Sequence, residues 1–225
     1  MSTAFVIGAS RGIGLEFVRQ YLALGWTVHA TYRAEKDRVV LRDLGANALK
    51  LDLLDLNDVA GIGWQLDGER IDVAVCNAGV YGPRQSTLRQ LPTADEFDMV
   101  MKTNVLGPMR LVPMVVPLLE AAAGTLAVVS SRMGSITEAS IGYGLLYRTS
   151  KAALNMVAKL AQDHAKAYGA RAIALHPGWV RTDMGGPNAE VDVARSVEGM
   201  RAVIADARAY PGGAFYDYRG ETLPW

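Results

Sequence analysis

Tyr147 and Lys151 stand four residues apart in Tyr-Arg-Thr-Ser-Lys, at the head of the apolar-periodic run Ala152 to Ala167. On a helix that spacing puts a phenol and an ammonium on one face, a turn apart. An ammonium beside a phenol favours the phenolate, so the expectation is a tyrosine pKa below its usual value of about 10. Such a group is a general acid/base near neutral pH, suited to moving a proton to or from an alcohol or carbonyl oxygen. Tyr-x-x-x-Lys pairs are also common on plain amphipathic helices, so the rest of the chain must supply what this one acts on.

The second stretch with chemistry in it is Gly8-Ala9-Ser10-Arg11-Gly12-Ile13-Gly14. It follows the apolar run Ala4–Ile7 and precedes a helical pattern with Leu15, Val18, Leu22 and Leu24 on its inward side. Gly25 closes that helix, and Trp26 to Thr31 reads as the next strand. Strand, glycine turn, helix and strand within about thirty residues make a unit of dinucleotide-binding size. Glycines let backbone approach a pyrophosphate, whose charge then meets a helix N-terminus. The spacing is G-x-x-x-G-x-G rather than the more general G-x-G-x-x-G. Past the second strand stands Arg33, with no acid before Glu35, and Arg11 lies inside the turn. Two arginines near one expected phosphate favour NADP over NAD, although either alone also fits a solvated surface residue.

The elements that would position these groups alternate throughout. Ala48–Leu51, Ile71–Cys76, Thr125–Val129, Arg171–Leu175 and a short Ala214–Tyr216 read as further strands. Helices are expected over Leu53–Leu66, Thr93–Thr103, Leu106–Glu120, Tyr147–Gly169 and Val191–Ala207, with loops over Tyr81–Leu91 and Arg132–Leu146. Asn104 and Gly107 separate the second and third helices, and Pro113 and Pro117 weaken the third. The pattern predicts a single α/β domain spanning residues 1–225, a doubly wound parallel sheet of about seven strands covered on both faces. Asp52 and Asn77 then sit where strands meet loops at the ligand-bearing edge, or serve there as turn formers.

Composition narrows the class. Lys plus Arg equals Asp plus Glu, 23 against 23, so no net field points to nucleic acid or an anionic membrane. The single Cys76 excludes an internal disulfide and fits a reducing compartment. No secretory signal is expected, and the apolar stretch Val105–Ala123 carries Arg110, Glu120 and three prolines, which suits a buried helix. The three histidines, His29, His164 and His176, fall in separate elements without ligand spacing, so no metal site is expected. A cytoplasmic enzyme or binding protein is the expectation.

Taken in order, the motifs resemble the short-chain dehydrogenases/reductases along essentially the whole chain. They are Gly8, Gly12 and Gly14; Asp52; Asn77-Ala78-Gly79; Asn104; Ser130-Ser131; Tyr147 with Lys151; and Pro177-Gly178 with Thr182. Ser-Ser-Arg-Met-Gly-Ser, Tyr-Arg-Thr-Ser-Lys-Ala-Ala-Leu-Asn, His-Pro-Gly-Trp-Val-Arg-Thr-Asp-Met and the Leu-Pro-Trp ending are most similar to the C-factor and Sniffer-type carbonyl reductases. The resemblance implies an NADP(H)-dependent enzyme in which Tyr147 protonates the carbonyl oxygen as hydride arrives from the nicotinamide. Lys151 would lower the tyrosine pKa and hold the nicotinamide ribose, Ser131 would bond the substrate oxygen, and Asn104 would anchor the geometry behind Lys151. Cofactor contacts would come from Gly8, Ser10, Arg11, Gly12, Ile13, Gly14, Arg33, Asp52, Asn77, Ala78 and Gly79. Tyr147, Lys151, Pro177, Gly178, Val180 and Thr182 complete the implied set.

Two departures stand out. The spacing from Ser131 to Tyr147, sixteen residues, exceeds the family's usual one, which leaves Ser130, Ser131 and Ser135 as candidates for the substrate oxygen. Ile7 replaces the family's usual threonine and its hydrogen bond. Tyr81, Met133 and Trp179 are candidate pocket residues or plain packing. The short Thr182–Val191 segment predicts an open site with a broad substrate range. A homodimer or homotetramer through the two long helices is implied, with a small carbonyl or alcohol as substrate and neither nucleic acid nor membrane as partner. The C-factor resemblance also raises a non-catalytic, NADP-binding signalling role as the alternative.

Overall fold

In the computed structural model the seven strands are β1 (Thr3–Ile7), β2 (Thr27–Tyr32), β3 (Asn47–Lys50), β4 (Val73–Cys76), β5 (Thr125–Val129), β6 (Arg171–His176) and β7 (Phe215–Asp217). Six of the seven are buried along nearly their whole length; β1, β4, β5 and β6 run into Gly8, Asn77, Ser130 and Pro177, and only the edge strand β3 is open. The structure describes all residues except Gln85 and Ile141, which belong to the two expected loops Tyr81–Leu91 and Arg132–Leu146; those two positions lie outside the described residues. The strands form one sheet in the order β3-β2-β1-β4-β5-β6-β7, and every pairing along it is parallel. The order reverses between β1 and β4, the switch point at which an open α/β sheet leaves a crevice for a ligand.

The helices are α1 (Gly12–Ala23), α2 (Glu35–Asp43), α3 (Leu56–Gln65), α4 (Ala94–Met101), α5 (Gly107–Val115), α6 (Leu145–Lys166) and α7 (Val193–Ala205). Strand side chains alternate between two cores, as a period of two requires. Phe5, Ile7, Leu126 and Val128 pack with Ile62 of α3, Leu111 and Val115 of α5, and Leu154 and Ala158 of α6. Ala4, Val6, Val75 and Ala127 face the other way, against Phe17, Val18 and Tyr21 of α1 and Val197 and Met200 of α7. Burying each large apolar side chain in this way contributes roughly 1.5–3 kcal/mol.

Three expectations change. The inward face of α1 is Phe17, Val18 and Tyr21, while Leu24 is exposed because the helix ends at Ala23, one residue before it. No break separates the helices around Asn104: a π-helical turn, Lys102–Leu106, joins α4 to α5, and a 3-10 segment, Val116–Ala122, continues to residue 122. Pro113 is carried inside α5 and Pro117 lies in the first turn of the 3-10 segment. A first-turn proline suits its missing N–H. The run Ala94–Ala122 is long and apolar enough to cross a membrane by length and composition, yet it packs Leu111, Val115, Val116 and Leu119 into the core. Finally, α2 has no counterpart in the sequence reading; only Leu41 of its residues is buried.

Candidate active site

With all strands parallel, every segment that follows a strand opens on the same edge. That edge collects the glycine turn after β1, Arg33 after β2, Asp52 after β3, Asn77–Gly79 after β4, Ser130 and Ser131 after β5, and Pro177–Thr182 after β6. Arg33 and Asp52 stand on the β2/β3 side of the switch point, Ser131 on the β5 side. The glycine turn lies between them, so the edge is a groove with basic residues at one end and hydroxyls at the other.

The glycine turn is built for close approach. Gly8 holds φ at +80°, a region side chains rarely adopt, and an added Cβ would stand 2.7 Å from Ala78 backbone atoms. A Cβ on Gly14 would overlap the Gly8 carbonyl oxygen. The turn is pinned by Asn77 Nδ2, which donates to Gly8 O at 2.9 Å, and by Gly8 N–H, which donates to Thr31 Oγ1 at 2.9 Å. Thr31 of β2 thus anchors the glycine that follows Ile7. The N-cap of α1, Arg11, makes no side-chain cap, and no acid occupies the first turn. Its leading amides and the positive end of its dipole therefore suit an anionic group. Arg11 is exposed and paired with Asp183 at 3.1 Å, and Arg33 is exposed beyond β2. Asp52 Oδ1 accepts from Leu54 N at 2.9 Å and so also serves as a turn former.

Gly144, at φ +71°, starts α6, and Leu145 and Leu146 precede Tyr147, which therefore sits in the first helical turn. Ser86 docks that turn: its carbonyl accepts from Leu145 N at 2.9 Å and its hydroxyl from Leu146 N at 3.3 Å. Tyr147 is 7% exposed. Its side chain neighbours that of Ser131, whose Oγ accepts from Met133 N at 3.2 Å. Lys151, 4% exposed, donates from Nζ to Val129 O at 3.1 Å and lies 5.7 Å from the centre of the Tyr147 ring. A Cβ on Gly79 would stand 3.6 Å from that Nζ.

The expected tyrosine pKa is overturned. Burial pushes the Tyr147 phenol up to about 12; the Ser131 hydroxyl opposes the rise and the neighbouring Tyr81 adds to it. Burial likewise pulls the Lys151 ammonium down to about 8, offset in part by Cys76. The spacing of the pair is as read, but burial is the largest influence on each group and disfavours its charged form.

Among the three serines, the surroundings differ. Ser130 is committed to the core, where its hydroxyl bonds Asn155 Oδ1, and Asn155 Nδ2 donates to Gly134 O at 3.3 Å. Ser135 Oγ donates to Trp225 O at 3.2 Å and accepts from Glu138 N. Ser131 alone of the three meets Tyr147. Asn104, fully buried in the π turn, accepts from Val80 N and donates to Val80 O, both at 2.8 Å. It also donates to Ser150 Oγ at 3.0 Å, which in turn bonds Tyr147 O at 2.8 Å. Asn104 thus ties the segment after β4 to the turn bearing Tyr147.

Sequence reasoning missed Asn155, Ser150 and Ser86 as supports; Asn155 lies one turn beyond Lys151, a spacing that marks it. Thr182 Oγ1 accepts from Gly185 N at 3.2 Å, and its methyl would meet a Cβ on Gly12 at 3.4 Å, so the glycine turn and the β6 loop touch across the groove. Val180 bridges to Val191 within that loop, and Ser196 Oγ secures Pro177 O at 2.6 Å. Ser10, Ile13, Ala78 and Gly178 lie on the same edge. Trp179 is half-exposed and donates to Gly185 O at 2.9 Å. Among the described residues no cluster of three or more His, Cys, Asp or Glu could hold a metal ion.

The sequence profile of the short chain dehydrogenase family matches residues 2–192. The chain is 40% identical to "C-signal" of Myxococcus xanthus over 158 residues, 69% of this chain and 93% of the relative. A short-chain dehydrogenase/reductase from Burkholderia multivorans, solved with bound NADP, is 33% identical at a TM-score of 0.91, covering 100% of this chain and 99% of that one. The carbonyl reductase Sniffer of D. melanogaster is 29% identical at a TM-score of 0.89, with coverage of 100% and 99%.

Proposed function

The chain belongs to the short-chain dehydrogenase family, and from that membership we propose that it is an NADP(H)-dependent reductase interconverting a carbonyl and an alcohol. The observation that carries the proposal is that Tyr147, Ser131 and Lys151 are buried together beside Gly79 at the sheet edge that also carries the close-approach glycine turn. Solved relatives support both halves of it, one binding NADP and one bearing the name carbonyl reductase.

The residues fit the cofactor. The uncapped, acid-free N-terminus of α1 suits a pyrophosphate, and the close-approach glycines admit it. Arg33 and Arg11 suit a 2′-phosphate; the Arg11–Asp183 pair is largely exposed and holds Arg11 only weakly. Asp52 would take the adenine end, Asn77, Ala78 and Gly79 the adenosine, and Pro177, Gly178, Val180 and Thr182 the nicotinamide end. Bound there, the dinucleotide supplies hydride to a carbonyl carbon or takes it from an alcohol carbon.

The chain's own groups manage the oxygen. Ser131 donates a hydrogen bond to it and stabilises the charge that develops. Tyr147 transfers its phenolic proton to that oxygen, so carbonyl, hydride and proton sum to the alcohol. A phenol raised to about 12 stays protonated and gives up its proton only to a strongly basic alkoxide. Lys151 would hold the ribose and stabilise the phenolate left behind. Exposed Phe97, Met99, Met109, Met156 and Leu160 on α4, α5 and α6 support a homo-oligomer through these helices.

The likeness to C-signal supports a second reading, a non-catalytic signalling role, against which the complete Tyr147, Ser131, Lys151 and Asn104 set weighs. The test is oxidation of NADPH and NADH with a panel of aldehydes, ketones and quinones. NADPH should be preferred, and Tyr147→Phe should lower kcat by about a hundredfold or more. Preference for NADH would remove the roles of Arg11 and Arg33, and turnover intact in Tyr147→Phe would remove the proposed mechanism.

A further inference from the structure

Tyr81 follows a segment whose backbone is held from both sides. Asn104 clamps both the N–H and the carbonyl of Val80, the residue before it. The residue after it, Gly82, holds φ at +75°, where any Cβ would overlap Val100. Between these fixed points the Tyr81 ring lies on the Tyr147 ring, centres 4.4 Å apart and planes within 17°. That is a parallel aromatic stack, among the arrangements such rings prefer. The Arg84 guanidinium stands over the Tyr81 ring, 5.0 Å from its centre, and the same side chain donates from Nη2 to Met184 O at 2.5 Å. Lys151 Nζ stands over the Tyr147 ring, 5.7 Å from its centre. The result is a column of two stacked rings, each with a cation over it.

We propose that Tyr81 is a positioning residue for Tyr147: its ring fixes the phenol's orientation and keeps water off its face. Arg84 holds Tyr81 in place and ties the column to the loop that carries Thr182. The inference rests on reading Tyr147 as the proton donor, and it assigns Tyr81 no contact with the reacting atoms. The column has a chemical consequence, since the Tyr81 ring lies over a face of the buried phenol and so limits the water that could reach it. The groups that face this pair are Ser131 and Lys151 on the Tyr147 side, and Tyr143, Arg84 and Arg148 on the Tyr81 side. Cys76 faces Lys151. None of them replaces the ring that Tyr81 presents.

The experiment compares Tyr81→Ala, Tyr81→Phe and Arg84→Gln with the parent chain, using NADPH and a small aldehyde. Tyr81→Ala should lower kcat by about tenfold to a hundredfold, the scale of a misplaced catalytic group, and leave the KM for NADPH nearly unchanged. Its alkaline limb should move to lower pH, because a hydrated phenol loses its proton sooner. Tyr81→Phe, which keeps the ring, should restore most of the rate, and Arg84→Gln should lie between. A readout without turnover is the flipping of the Tyr147 ring, followed by NMR on tyrosine-labelled protein and assigned by its loss in Tyr147→Phe. Flipping should be slow in the parent and in Tyr81→Phe, and fast in Tyr81→Ala. A Tyr81→Ala protein with parental kcat and slow flipping would overturn the inference, as would a Tyr81→Phe protein no better than Tyr81→Ala. If turnover survives Tyr147→Phe, the proton-donor reading fails, and the flipping rates still decide whether Tyr81 positions the ring.

Discussion

At Lys151 the chain accepts a stability cost. Burial lowers its ammonium from the usual 10.5 to about 8, which at about 1.4 kcal/mol per unit is a penalty of about 3 kcal/mol on the charged form. A group with a depressed folded pKa holds fewer protons folded than unfolded, so stability rises with pH between the two values. Lys151→Met keeps the volume and removes the charge. It should therefore raise the thermal midpoint at pH 7 while abolishing turnover. The gap to the parent should be full below pH 8 and close as pH climbs towards 10.5, and calorimetry across that range measures it. A midpoint that falls at pH 7 would mean the bond to Val129 O outweighs the desolvation. The phenol–lysine spacing was legible in the sequence, whereas the sign of the tyrosine shift was not, because spacing reports charge and says nothing of the walls around it.

Among the elements, the helical run from α4 to α5 shows where sequence reading stops. Asn104 and Gly107 have poor helix propensity, and Pro113 and Pro117 break backbone bonds, so the residues argue for an interruption. Instead the chain stays helical and absorbs the mismatch in a π turn, a form often found at functional sites. That turn carries Asn104, fully buried, into reach of Val80 and Ser150. Asn104→Ala would leave the Val80 N–H and carbonyl unpaired, at about 1–3 kcal/mol each. A loss of roughly 3 kcal/mol and a midpoint lower by about 6–12 °C should follow, read by denaturant and thermal unfolding. The glycine turn, by contrast, was legible because close approach admits only one residue type. Helix α2 was not, since one buried leucine gives no periodicity to read.

For the molecule as a whole, strand alternation was enough to give the parallel sheet and its ligand edge, but not which serine meets Tyr147. That choice depends on Asn155 and Trp225, distant in sequence from Ser130 and Ser135, each of which they occupy. The exposed Met156 and Leu160 on α6 and Met109 on α5 are apolar side chains in water, and the proposed homo-oligomer would cover them. Leu160→Glu should shift the chain to monomer in analytical ultracentrifugation while leaving its fold intact by circular dichroism. A parental sedimentation profile would move the interface elsewhere.

Cys76 is the chain's one cysteine; it is buried, and its thiol is pushed up to about 11 by that burial. Thiolate, the form that alkylating reagents capture, is therefore scarce and out of reach. The native protein is in effect silent to maleimides, which leaves the whole surface open to a single engineered handle. The turn at Asp67, exposed between α3 and β4, lies at the sheet edge opposite the groove. A cysteine placed there would tether every molecule to a support in one orientation, with the groove turned to the solution.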